Sequence, residues 1–179
     1  MWVAVIVKNR KKVCVLDSSF FINIGVSQVL KEKCFTTPEV VDELKDSRSK
    51  ILFEVYLSSS KIVIRSAPEE LIKEVMEKAE SMGLQISKTD ASVVALALLL
   101  KKEGYFLKLF SDDFDLMSVA EAFGLECKPV TKKNFRGAAR KIRYCPVCGR
   151  SFSPGFNKCP VCGVKLRVKL KFFRRKRVD

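Results

Sequence analysis

Along the first 130 positions, short β-branched and aromatic runs alternate with longer segments in which apolar residues recur every three or four places. The pattern "KVCVLD" (12–17) predicts a strand, and "CFTTPEVVDELKD" a short strand leading into a helix. Thr37 suits the N-cap of that helix, with Pro38 at its first position, where a missing N–H costs nothing. "SKILFEVYLSS" continues as helix, "KIVIRS" (61–66) is a strand, and "PEELIKEVMEKAESMG" is an amphipathic helix stopped at Gly83. "SKTDASVVALALLLKKEG" is a more apolar helix ending at Gly104, "YFLKLFSDD" the next strand, "FDLMSVAEAFG" another helix and "LECKPV" a last short strand. Strands separated by helices predict an α/β fold, with a central parallel sheet flanked by helices on both faces.

From about Thr131 the pattern breaks. "TKKNFRGAARKIR" is basic and reads as a linker or a short cationic helix. Beyond it "CPVCG" at 145–149 recurs at 159–163, a C-x2-C-x10-C-x2-C spacing. Two thiolates two residues apart on a tight Gly-closed turn grip one side of a metal, and a second such turn completes a tetrahedral sulfur site. Two disulfides are the alternative, a weak one in a reducing compartment. The expected occupant is structural Zn2+ held by Cys145, Cys148, Cys159 and Cys162. So small a module cannot bury enough apolar surface to fold alone, and zinc binding, roughly 10–16 kcal/mol in comparable peptides, supplies the difference. The expected divisions are therefore a domain over 1–130, a basic linker over 131–143 and a zinc ribbon with a basic tail over 144–179.

Charge follows the same division. Up to Cys127, 17 Lys and Arg stand against 19 Asp and Glu; from Lys128 onward, 17 stand against one. All of the +14 excess thus lies in the last 52 residues, which are suited to an anionic polymer. In "RVKLKFF", Arg167, Lys169 and Lys171 alternate with Val168, Leu170 and Phe172, as a strand with one cationic face would. Lys132, Lys133, Arg136, Arg140, Lys141, Arg143 and Arg150 add to this cationic set, for which nucleic acid is the natural partner, with phosphate contacts that would weaken with salt. Phe152, Phe156, Phe172 and Phe173 fit either a small ribbon core or contacts to bases.

Histidine is absent, which excludes Ser-His-Asp and Cys-His nucleophiles and HExxH zinc proteases. Cys14, Cys34 and Cys127 read as small buried thiols. No apolar run approaches the roughly 18 residues of a membrane span. The opening "MWVAVIVKNRKK" has its apolar residues ahead of its charges, the reverse of a secretory signal, and is expected as a strand. The expected compartment is the cytoplasm.

One segment sits oddly in so basic a chain. "LFSDDFDLMSVA" crowds Asp112, Asp113 and Asp115 just past an apolar strand, and "VCVLD" ends in Asp17. Residues beyond the carboxyl ends of parallel strands line the ligand crevice of an open sheet, so both strands deliver acids to one rim. Glu43 and Asp90 lie on helices that can add to it. Asp90, three residues after Ser87, also fits a helix cap, and Glu39, Asp42, Glu43 and Asp46 also fit a solvated helix face. Taken together, hard oxygen donors without histidine suit Mg2+ or Mn2+.

The order "VLDSSFFI", "VVDEL", "SKTDASVVALAL" and "LFSDDFD" resembles PIN-domain ribonucleases over residues 12–127. Together with a C-terminal four-cysteine ribbon, it resembles the Nob family of endonucleases, in its compact archaeal form. The resemblance implies a three-layer PIN domain and divalent-metal-dependent hydrolysis of RNA, forming the 3′ end of small-subunit rRNA from its precursor in the pre-ribosomal particle. By motif, the acids fall on Asp17, Glu43, Asp90 and Asp113, with Asp112 an extra acid beside the last. Asp17, Asp90 and Asp113 would hold the Mg2+ or Mn2+, and Ser18 and Ser111 match hydroxyls that steady these carboxylates. A non-catalytic RNA-binding scaffold and a VapC-type toxin ribonuclease are the alternatives; no membrane or organic cofactor is expected.

Overall fold

A computed structural model describes residues 11–23, 32–131, 139–153 and 155–172. The "MWVAVIVKNRKK" strand falls almost wholly outside them. Five parallel strands form the first sheet: β1 (Lys12–Leu16), β2 (Lys33–Thr36), β3 (Ile62–Ile64), β4 (Phe106–Phe110) and β5 (Glu126–Lys128). Their spatial order is β3-β2-β1-β4-β5. The chain thus builds outward from β1 in one direction, then returns to start again on β1's other side. The reversal makes β1 and β4 neighbours at a topological switch point, where open parallel sheets bind ligands beyond their carboxyl ends.

The helices are α1 (Ser18–Asn23), α2 (Pro38–Glu43), α3 (Ser47–Ser58), α4 (Glu69–Ser81), α5 (Lys88–Lys102) and α6 (Phe114–Ala122). As expected, Thr37 caps α2, its side chain accepting from the Val40 amide, with Pro38 following. The long helix expected from Pro38 is instead two. Asp46 takes an extended conformation and accepts from the Ser49 amide, starting α3 afresh, because a short acceptor competes well for free helix amides. Helix α5 is apolar on every side, with Ala91 to Ala97 fully buried, as suits a helix enclosed by other elements. Helix α1 was not foreseen. Its Phe20 and Phe21 are fully buried and make edge contacts with each other, with Phe110 and with Phe53, which fixes α1 against the end of β4. Cys14, Cys34 and Cys127 are buried in this core as expected.

A second, antiparallel sheet has the order β7-β6-β8, with β6 (Ala139–Tyr144), β7 (Ser151–Phe152) and β8 (Arg167–Phe172). Residues 139–143, expected as linker or helix, therefore belong to a strand, paired along its full length with β8. No helix among the described residues is long and apolar enough to cross a membrane.

Candidate active site

The site starts from the register of the two central strands. Leu16 pairs with Phe110, so Asp17 and Ser111 leave the sheet side by side, and the Asp17 amide donates to the Phe110 carbonyl at 3.1 Å. Asp17 and Ser111 are both buried. The Asp17 carboxylate is saturated with donors. Oδ1 accepts from the Ser18 amide at 2.7 Å and its hydroxyl at 3.3 Å; Oδ2 accepts from Ser19 at 2.9 Å and Ser111 at 2.8 Å. A buried carboxylate with this many donors is held in one orientation.

Ser111 and Ser19 each carry the network one step outward. The Ser111 hydroxyl accepts from the Asp113 amide, and Ser19 from the Asp112 amide, both at 3.0 Å. Asp113 caps α6 through Oδ1, which accepts from the Leu116 amide at 2.8 Å. On α5, Asp90 forms the expected capping box with Ser87, its Oδ2 accepting from the Ser87 amide and hydroxyl at 2.8 Å each. Capping and a site role are therefore not rivals for Asp90 or Asp113. Each spends one oxygen on its helix, and no hydrogen bond among the described residues uses Oδ1 of Asp90 or Oδ2 of Asp113.

Electrostatics tie the three acids together. Burial pushes the Asp90 carboxyl above its ordinary value, and the negative charges of Asp17 and Asp113 push the same way, against the lowering effect of its Ser87 bonds. A carboxylate that feels two others gains from a divalent cation among them. The acids are nevertheless more widely spaced than a closed ligand cage. Among the described residues, only the four cysteines form a group of three or more with ligand atoms all within 4.8 Å of one another.

Two candidates sit differently from the rest. Asp112 is fully engaged elsewhere: Oδ1 accepts from the Val130 and Thr131 amides and the Thr131 hydroxyl at 3.1–3.2 Å, and Oδ2 from Asn23 at 3.0 Å. It ties the end of β4 to α1 and to the segment after β5. Glu43 is exposed at the last position of α2. On the same helix Glu39, grouped above with a solvated face, has an Oε2 that is buried without a hydrogen-bond partner. Helix α2 starts at the carboxyl end of β2, so this uncompensated oxygen lies at the acidic end of the sheet. Oxygen donors without imidazole, an acid with raised proton affinity and an orphaned carboxylate oxygen all fit a hard divalent cation.

The sulfur site is built from two matching turns. Cys145 accepts at Sγ from the Cys148 amide and Cys159 from the Cys162 amide, both at 3.4 Å. Gly149 and Gly163 close the turns at φ 72° and 69°, a conformation that favours glycine. The Cys148 amide draws the Cys145 thiol down to about 7, whereas the Cys148 thiol holds Cys162 upward. Four sulfurs within 4.8 Å of one another are a ligand set that suits Zn2+.

The basic residues divide between the two faces of the ribbon sheet. Lys141 stands opposite Leu170 and Arg143 opposite Val168, on the face where Phe172 meets Phe114 of α6 at 6.4 Å. Lys141 is ion-paired with Asp115 at 2.7 Å, and Arg143 is bonded to Asn157 at 2.6 Å. Arg167, Lys169 and Lys171 alternate onto the opposite face, where Lys169 lies 4.8 Å from the centre of the Tyr144 ring. Arg150 is exposed. Lys132, Lys133 and Arg136 lie outside the described residues, as do Phe173 and the side chain of Arg140. Phe152 packs on the small ribbon core, while Phe172 is an inter-sheet contact. Sequence reasoning passed over Asp115 as a partner for the ribbon, since nothing local links positions 115 and 141.

A switch-point sheet with acids from β1, β4 and α5 on one rim defines a PIN-type nuclease domain. Residues 14–100 match the family model described as the PIN domain of ribonuclease. The chain is 37% identical to endoribonuclease Nob1 of Pyrococcus abyssi, covering 86% of this chain and 91% of that one. It is 33% identical to the Nob1 of Methanocaldococcus jannaschii (93% and 82% covered) and 30% identical to that of Archaeoglobus fulgidus (85% and 87% covered). The chain belongs to the Nob1 endoribonuclease family.

Proposed function

We propose that this protein is a divalent-metal-dependent endoribonuclease that cuts precursor rRNA to form the 3′ end of small-subunit rRNA, acting in the cytoplasm on the pre-ribosomal particle. The observation that supports it most is the Ser111 bridge, which joins Asp17 and Asp113 at the switch point while Asp90 shares their field. Asp17, Asp90 and Asp113 would hold Mg2+ or Mn2+, and Glu43 would complete the rim from α2. When bound, the cation stabilises charge developing on the scissile phosphate and activates water.

The chain's own residues set the geometry. Ser18, Ser19 and Ser111 orient Asp17. The caps on α5 and α6 hold Asp90 and Asp113 by one oxygen each, leaving the other for the site. Asp112 serves as the brace that keeps β4, α1 and the segment after β5 in place. An acidic rim alone repels RNA; the Zn2+-held ribbon supplies attraction through Arg150, Arg167, Lys169 and Lys171, with Lys132, Lys133, Arg136 and Arg140 nearby in sequence. Residues 1–130 would form the nuclease domain and 144–179 the ribbon and tail, with the join carried into β6.

The test is cleavage, in Mn2+ or Mg2+, of an RNA that spans the mature 3′ end. Asp17→Asn keeps the shape but loses the charge and places an amide among serine donors. A loss of about a hundredfold or more in rate is expected. Equal cutting by wild type and variant would remove the nuclease reading and leave a binding scaffold.

A further inference from the structure

The first turn of α6 faces two ways. Asp113 begins it at the acidic rim; the next two residues, Phe114 and Asp115, contact the ribbon. Asp115 Oδ2 accepts from Lys141 Nζ at 2.7 Å and from the Gln85 amide at 3.2 Å. The Lys141 amide donates to the Met82 carbonyl at the end of α4 at 3.1 Å, and Phe172 of β8 meets the Phe114 ring at 83°. The Asp115 side chain is only 16% exposed, so this ion pair is less screened than an ordinary surface pair. Beside it lies an open cleft of about 740 Å³, walled by α4 residues Lys73 and Glu77 and by Lys141, Arg143 and Val168 of the ribbon.

We propose that Asp115 is a positioning residue: by fastening Lys141 of β6 to the turn that carries Asp113, it sets how far from ribbon-bound RNA the cut falls. The inference rests on the nuclease reading above and gives the third acid of "SDDFD" a task distinct from metal binding. The physical logic lies in the two faces of the ribbon. Lys141 and Phe172 occupy the face turned to α6, which leaves Arg167, Lys169 and Lys171 on the other face for phosphates. RNA held on that outer face is then referred to the acidic rim through the first turn of α6. A rigid link of this kind converts binding into orientation, which favours one reacting phosphate over its neighbours.

The experiment compares wild type, Asp115→Asn and Asp115→Glu as zinc-loaded full chains. Two RNAs are used: a single strand too short to reach the ribbon, and a long RNA that spans the mature 3′ end. The Asp115→Asn variant is expected to cut the short RNA at the wild-type rate. On the long RNA, cleavage at the single position should fall about twofold to fivefold, as expected for loss of one partly screened ion pair. Cuts should spread to neighbouring phosphates while KM stays unchanged. Asp115→Glu, which keeps the charge, should recover most of the precision. Backbone 15N relaxation gives an independent readout: the two sheets tumble as one body in wild type and separately in Asp115→Asn. Joint tumbling and an equally sharp cut in Asp115→Asn would overturn the proposal. If wild type cuts neither RNA, the nuclease reading fails and the positioning role with it, while relaxation alone still decides whether Asp115 fastens the sheets.

Discussion

The two sheets of this molecule are held together by different physics. The parallel sheet encloses a continuous apolar core from Val13 to Cys127, with α5 buried on all sides. The ribbon has almost none. Its buried cluster is Cys145, Cys159 and Leu166, and all six residues of β8 are exposed. One unit folds by removing hydrocarbon from water, whereas the other has little to remove and, on the proposed reading, would depend on an ion held by its four cysteines. Charge follows the same line. The self-sufficient core tolerates a rim of mutually repelling acids, and the ribbon sheet keeps the face of Arg167, Lys169 and Lys171 free for cations. Each unit places its unfavourable charge where another source of free energy offsets it.

Taking away the metal is the strongest way to break that comparison. If zinc holds the four cysteines as proposed, stripping it with a chelator, or Cys159→Ser, should remove a contribution of roughly 10–16 kcal/mol. Amide exchange is expected to collapse to the unprotected rate along β6, β7 and β8, with β1, β4 and α5 still protected. Ribbon amides that stay protected without zinc would show that Leu166, Phe152 and the α6 contact suffice.

The converse change acts on the other unit. Leu96 is fully buried in α5, and Leu96→Ala should cost about 2–5 kcal/mol in transfer and cavity terms. Denaturant unfolding of the parallel sheet should shift accordingly, with zinc content still one per chain. Zinc lost at the same denaturant concentration as the core would mean that the two units fold as one.

The same contrast decides how much could be read without coordinates. The core is written locally: short β-branched and aromatic runs became β1 to β5, and the caps at Thr37 and Ser87 appeared where their residue types placed them. The cysteine turns were legible for the same reason, because the pentapeptide carries both ligands and its Gly. What stayed hidden is non-local or short. Helix α1 spans six residues, too few for a periodic signal. The break before α3 depends on whether Asp46 caps or continues. Strand β6 is recognisable only by its partner β8, since "ARKIRY" alone resembles a cationic helix. In the acidic set, the register that sets Asp17 beside Ser111 follows from the strand ends, but each acid's task was not legible. Asp112 is identified as a brace only by Asn23, Val130 and Thr131, and Asp115 as a ribbon contact only by Lys141.

A subtler test asks whether the acidic rim is a cost to the fold that a cation relieves. Burial, then the charges of Asp17 and Asp113, raise the Asp90 carboxyl above its ordinary value. The sign of the linkage follows. As pH falls, the native state takes up this proton before the unfolded chain does, so metal-free stability rises as pH drops through the native value towards the unfolded one. Above the native value the penalty is present in full. At neutral pH the metal-free rim is therefore under strain of charge, and Asp90→Asn should raise the metal-free midpoint of the parallel sheet there. Below the unfolded value the substitution should change little, since both states carry a neutral group. Asn can still accept from Ser87, so the cap on α5 survives. If Mn2+ binds the native rim as proposed, it should raise the wild-type midpoint, but raise the variant's less. The shifts should be a few degrees, given roughly 2–4 °C per kcal/mol for a chain of this size. Calorimetry with zinc retained measures both. Equal Mn2+ shifts in wild type and Asp90→Asn would take Asp90 out of the cation's surroundings, and no gain for the metal-free variant at neutral pH would show that Ser87 already offsets the repulsion.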